Sequence, residues 1–236
     1  MKPDADLHAQ QGRCHAGRDR RSGDGWRAAA IEDELPELRI LVDETVNGRA
    51  QALTGASPPD VRERLRELSN RVRGARAVGI RREPVSAAYR VFFRQIGLDP
   101  DVVRTPVEAA LMERMLSGGF HPTSLLADVL LIALLDTGVP VWALDSASLD
   151  GPLGIRASTA GEPLGRSHQA QSLASGRLVV ADSSTALAVL FGELAPGHEV
   201  HGETTRVTLF AVQVEGVPRL YVEESLWACR AALERP

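Results

Sequence analysis

Lysine is almost missing: Lys2 is the only one in 236 residues, so positive charge is carried by arginine, whose forked donors suit phosphate and carboxylate. Aromatic residues are also scarce, at 4%. The interior must therefore be mostly Leu, Val and Ala, and each large ring, Trp142 among them, stands out as a possible pocket wall. The two cysteines, Cys14 and Cys229, lie at opposite ends of the chain. Their spacing fits neither a zinc site nor a disulfide framework, and a reducing cytoplasm is the expected setting. The most apolar run, "SLLADVLLIALL", is too short for a membrane span and contains Asp128, and the N-terminal stretch lacks the apolar core of a secretory leader. A formal charge of −4 argues against a basic coat for nucleic acid, although local basic patches are compatible with it. There is no G-x-S-x-G elbow, P-loop, G-x-G-x-x-G after a strand, or paired C-x-x-C. No metal or other cofactor is expected.

What is present is enough for one core, with 44% of residues hydrophobic. Residues 1–27 are polar and charged and are expected to form a mobile tail, leaving residues 28–236 as a single domain. "LRILVDETVNG" reads as a first strand ending at the turn dipeptide Asn47-Gly48. "SPPDVRERLRELSNRVRG" reads as an amphipathic helix with Ser57 as N-cap, Val61, Leu65, Leu68 and Val72 on its apolar face, and Gly74 just beyond. Its outer face carries Arg62, Arg64, Arg66, Arg71 and Arg73, either a solvated, ion-paired face or a phosphate-reading one. "EPVSAAYRVFFRQIG" reads as a helix burying Val85, Ala88, Phe92 and Ile96. "TPVEAALMERMLSGG" has a capping box, Thr105 with Glu108, and a further helix from about Ser124 to Leu135 is apolar almost all round.

From Val139 the texture changes. "VPVWALD", "LGIRAS", "RLVVAD", "TALAVLFG" and "TTRVTLFAVQV" are short apolar or alternating runs divided by Gly, Pro, Asp and Ser. Helices, then strands, then a closing helix near Glu223 to Leu233 describe an α+β domain. "HEVHGE" offers His198 and His201, yet lacks the i, i+4 pair of a zinc helix and reads as a loop between strands.

Taken in order, "TPVEAALMERMLSGGFHPTSLLADVLLIALLDTGVPVWALD", "LDGPLGIRASTAGEPL", "GRLVVAD", "ALAVLFGE" and "ETTRVTLF" resemble the B3/B4 editing domain of the phenylalanyl-tRNA synthetase beta subunit and its free-standing relatives, across roughly Val85 to Val214. The resemblance implies a layered β/β/α fold with a mixed or antiparallel sheet and N-terminal helices. It implies an activity as well: hydrolysis, in trans, of the ester joining a wrong amino acid to the 3′ end of a tRNA. In that family the strand reads Pro-Met-His-Ala-Phe-Asp; here the same places hold Pro140, Val141, Trp142, Ala143, Leu144 and Asp145, followed by Arg156 and the Gly161-Glu162 turn. Trp142 thus stands where the family has its pocket histidine, and Leu131 where it has an asparagine.

The likeness further implies Glu193 and Thr204 as the catalytic or substrate-reading groups, and Trp142, Asp145, Leu131 and Asp128 as lining or ordering the pocket. Trp142 is expected to shrink or reshape the cavity for a different amino acid. Arg81, Arg82, Arg90 and Arg94, around the helix leading into the matched region, are the expected tRNA contacts. The implied partners are tRNA or aminoacyl-tRNA and the amino acid it carries. A binding module without turnover, and a binder of an amino-acid-like small molecule, are the alternatives.

Overall fold

The computed structural model describes residues 22–46, 53–72, 79–166 and 170–235. Cys14, the Asn47-Gly48 turn, Arg73 and Gly74 lie outside them, as do the first 21 residues of the expected tail. Among the described residues, eight strands and six α-helices follow in the order β1 (Ser22–Asp24), β2 (Trp26–Arg27), α1 (Ala29–Glu34), β3 (Arg39–Val46), α2 (Pro59–Arg71), α3 (Pro84–Gln95), α4 (Pro106–Ser117), α5 (Leu125–Thr137), β4 (Val141–Asp145), β5 (Gly154–Ala157), β6 (Leu178–Ala181), β7 (Ala186–Val189), β8 (Arg206–Gln213) and α6 (Arg219–Leu233). The α+β class holds. Two sheets form, ordered β1-β3-β8-β4 and β2-β5-β6-β7, antiparallel throughout except for the β2–β5 pair.

Residues 22–27 are not tail but strand. Composition hides this because the partners are far away: Trp26 pairs with Gly154, and its indole Nε1 donates to Pro152 O. The indole lies on Gly154, where a Cβ would come within 2.0 Å of the ring, so only glycine lets β2 approach β5.

Several helix ends form as their sequences ask, whereas α6 begins at Arg219, four residues before the expected Glu223, and α1 was not expected. Thr105 and Glu108 close the capping box of α4, Ser124 Oγ accepts from Ala127 N at the start of α5, and Gly118 and Gly138 take left-handed conformations as C-caps. Ser57 does not cap α2. Pro58 holds that position, while Ser57 Oγ donates to Asp128 Oδ2 and ties the approach to α2 onto α5. On α3 the deepest side chains are Tyr89, Phe92 and Phe93, with Val85, Ala88 and Ile96 half-buried.

The β4–β8 register sorts side chains between two faces. Ala143 and Leu209 lie opposite each other on one face, together with Asp43 of β3. Helix α6 covers this face, and Arg230 pairs with Asp43 at 3.0 Å. Trp142 and Phe210 lie opposite each other on the other face, as do Leu144 and Thr208. That second face reaches the second sheet through the turn after β7.

Candidate functional site

β4 is a short strand whose apolar residues pack in the main core, and it delivers Trp142 to the face away from α6. The indole stacks on Phe210 with ring centroids 5.4 Å apart and 12° between planes. Phe191 meets it edge-on at 5.6 Å. The same Phe191 ring touches Tyr89, Phe92 and Phe93 of α3 at 5.3 to 5.8 Å. Trp142 is thus half-buried in an aromatic cluster that joins α3, β4, β8 and the turn after β7.

Phe191 is held there at a cost. Its φ of 59° makes it the only non-glycine among the described residues in the left-handed region, which costs about 1–3 kcal/mol for a residue with a β-carbon. The surrounding turn fixes it: Val189 N donates to Glu193 O, Gly192 N to Val189 O, and Leu190 N to Leu178 O.

The polar side of the site gathers where β4 ends. Asp145 is buried, accepts from Ala147 N at 3.1 Å, and lies 3.2 Å from His201 Nε2. His201 Nδ1 accepts from Glu203 N, so the ring proton sits on Nε2 and points at the Asp145 carboxylate. Thr204, 2% exposed, closes the loop by accepting from His201 N at 3.0 Å and donating its own N–H to His201 O. Both ring nitrogens of His201 are therefore engaged. In this geometry the ring holds the loop in place.

A second imidazole lies alongside. Ser148 Oγ donates to Asp145 O, so the hydroxyl oxygen accepts from His198 Nδ1–H at 3.0 Å, and Asp145 N donates to His198 O. Burial pushes the His198 pKa below its ordinary value and the Arg166 guanidinium pushes it the same way; Asp182 and Glu199 oppose them. The neutral ring is favoured. Among the described residues, no group of three or more His, Cys, Asp or Glu could hold a metal ion.

The segments singled out in the sequence meet to different extents. Trp142 and Asp145 share β4 but, three positions apart, project to opposite faces of it: Trp142 meets Phe191, whereas Asp145, on the same face as Ala143, meets His201 and through it Thr204. Glu193 is exposed, two residues beyond Phe191 on the same turn. Leu131 and Asp128 make their contacts elsewhere. Leu131 packs against the separate cluster of Leu65, Leu68 and Leu111, and Asp128, 1% exposed, accepts from Ser57 Oγ, Thr123 N and Thr123 Oγ1. Arg156 makes a forked pair with Glu162, which also accepts from Thr159 N. This pairing holds the Glu162 carboxyl below its usual range and braces the turn at Gly161.

The four arginines divide into two kinds. Arg90, 8% exposed, pairs with Glu108 at 2.7 Å and Asp101 at 2.8 Å, and Arg81 pairs with the same two carboxylates. Arg82 and Arg94 are exposed and form no ion pair among the described residues. Sequence reasoning missed Phe191 and the Asp145–His201 pair. The paired groups lie 56 positions apart and no local pattern links them.

Comparison with known proteins gives the family. The B3/4 domain model matches residues 88–218, more than half of the chain. The phenylalanine–tRNA ligase beta subunit of Xanthomonas axonopodis pv. citri (strain 306) is 41% identical over 88 residues, 37% of this chain and 10% of that protein. The beta subunit of Xylella fastidiosa (strain 9a5c) is 36% identical over 124 residues, 48% of this chain and 14% of that one. The matched region spans only about a tenth to a seventh of these relatives. The family-model match, residues 88–218, takes in α4, α5, the β4 strand with Trp142 and Asp145, and the turns bearing Phe191, His201 and Thr204, and the chain belongs to the B3/4 domain family.

Proposed function

We propose that the protein is an aminoacyl-tRNA deacylase acting in trans, with the aminoacyl ester seated at the end of β4. One observation carries this reading. Three segments distant in sequence, Trp142 to Asp145, Phe191 to Glu193 and His201 to Thr204, are tied together by the Trp142–Phe191 contact and the Asp145–His201 pair in a B3/4 chain related to phenylalanine–tRNA ligase beta subunits. An aminoacyl ester is already activated, so a site that holds it, places a water and stabilises the developing oxyanion is enough. The exposed Glu193 carboxylate is suited to the substrate ammonium. Thr204 is a positioning residue, because its hydroxyl fixes His201 and through it the loop over Asp145.

The test is incubation of the purified chain with a panel of correctly and wrongly charged tRNAs. Cleavage of at least one ester well above the buffer rate, lost in Glu193→Gln, is the expected result. No cleavage of any ester overturns the reading.

A second reading, a module that holds aminoacyl-tRNA without turnover, is favoured by one specific feature: both ring nitrogens of His201 are occupied, and an indole stands at the family's histidine position. Binding of tRNA with a steep salt dependence and no hydrolysis is its signature. Thermal stabilisation by free amino acids and none by tRNA marks a small-molecule binder instead.

A further inference from the structure

The aromatic cluster concentrates a scarce resource. The chain has five phenylalanines, two tyrosines and three tryptophans. Six of these ten rings, Tyr89, Phe92, Phe93, Trp142, Phe191 and Phe210, meet beside β4. Phe191 is the hub, since it alone touches both the α3 rings and Trp142. It also bears the one left-handed non-glycine backbone among the described residues, and Gly192, which would adopt that conformation without strain, is the very next residue. Packing of the ring is what favours phenylalanine at position 191.

From this arrangement we infer that Phe191 is a specificity-determining residue that, with Trp142, limits the site to small amino-acid side chains such as those of alanine and serine. The inference rests on the placement of the aminoacyl group at the end of β4 proposed above. The physical reason is volume: the Trp142 ring is stacked on one side by Phe210 and met on its edge by Phe191, so the space an aromatic side chain would need is taken by the protein's own rings. A hydrophobic wall discriminates strongly against a group too large to enter, whereas it rejects a slightly smaller one weakly. Asp145, His201 and Thr204 are committed to one another on the opposite face of β4 and do not widen the space.

The test separates size selection from hydrolysis. Stable 3′-amide analogues of alanyl-adenosine and phenylalanyl-adenosine are titrated against the wild-type chain and against Phe191→Gly, Phe191→Ala and Phe191→Leu, and the matching aminoacyl-tRNAs are assayed for cleavage. Phe191→Gly keeps the left-handed turn while removing the ring, so it guards against a variant that fails only because its backbone does not fit. The wild type should bind the alanyl analogue at least tenfold more tightly than the phenylalanyl one. Phe191→Gly and Phe191→Ala should lose most of that ratio by gaining phenylalanyl binding, and Phe191→Leu should keep it. Equal affinities in the wild type, or a ratio unchanged in Phe191→Gly, overturn the size limit whatever the cleavage assay gives. An intact alanyl preference with no cleavage supports the size limit and overturns only the deacylase reading. Binding of neither analogue removes the aminoacyl site and both readings with it.

Discussion

Trp142 of β4 and Phe210 of β8 lie opposite each other in the antiparallel register and stack nearly parallel, 12° apart in plane. The contact joins a strand at the edge of its sheet to its central neighbour, on the face away from α6. Trp142→Ala removes the stack and the contact with Phe191 together, and the expected loss is about 3 kcal/mol, the low end for a large aromatic because the indole is only half-buried. Urea unfolding with a linear extrapolation measures it.

Arg90 and the pair Arg82 and Arg94 should behave oppositely. Removing the Arg90 head leaves Glu108 buried with a weakened partnership, so Arg90→Ala is expected to cost about 3 kcal/mol or more in thermal unfolding. Arg82→Glu with Arg94→Glu should leave the melting temperature nearly unchanged while weakening tRNA binding. If both contact phosphates, the salt dependence of that binding loses about two units of slope.

Thr204→Ala removes the acceptor of His201 N in a turn whose residues 201–203 are exposed, so water can replace it and the expected cost is about 0.5–1.5 kcal/mol. Thr204→Ser restores the hydroxyl and should recover most of this. If Thr204 acts by positioning, deacylation falls in the alanine variant through kcat and returns in the serine variant. Glu193→Gln, on an exposed turn, should unfold at the wild-type midpoint.

Acid should weaken the fold through His198. The unfolded imidazole takes up a proton below its ordinary value of 6.5, whereas burial and Arg166 keep the folded one neutral to lower pH. The unfolded state then binds more protons, so this contribution is complete above pH 6.5 and is lost as pH falls toward the folded value. Urea midpoints compared at about pH 7.5 and 5.5 should drop in the wild type and drop less in His198→Gln.

Legibility in the sequence followed the range of the interactions. The α4 capping box and the Ser124 cap of α5 are settled within four residues, and both elements form where the pattern puts them. Alternation likewise located β4 and β8. Ser57 was misread because a serine before Pro-Pro looks like a local cap, and nothing nearby reveals that its acceptor is Asp128, 71 positions on. β1 and β2 were hidden in polar composition, and the indole at Trp26 was the one sign of burial there. The ordered motifs pointed to Trp142, Asp145 and Thr204 as candidates, while the left-handed turn at Phe191 and the Asp145–His201 pair depend on how the loops fold back.

The strand order has a consequence for how the chain is made. β3 lies between β1 and β8, and β2 completes the second sheet against β5. On a ribosome, β2 and β3 therefore emerge long before these partners: β2 waits for about 130 residues of synthesis and β3 for about 160. Until β8 appears, β3 offers a bare backbone edge with apolar side chains, so a stalled or shortened product should be a ready client for holding chaperones, while the finished chain, its pairing satisfied, is not.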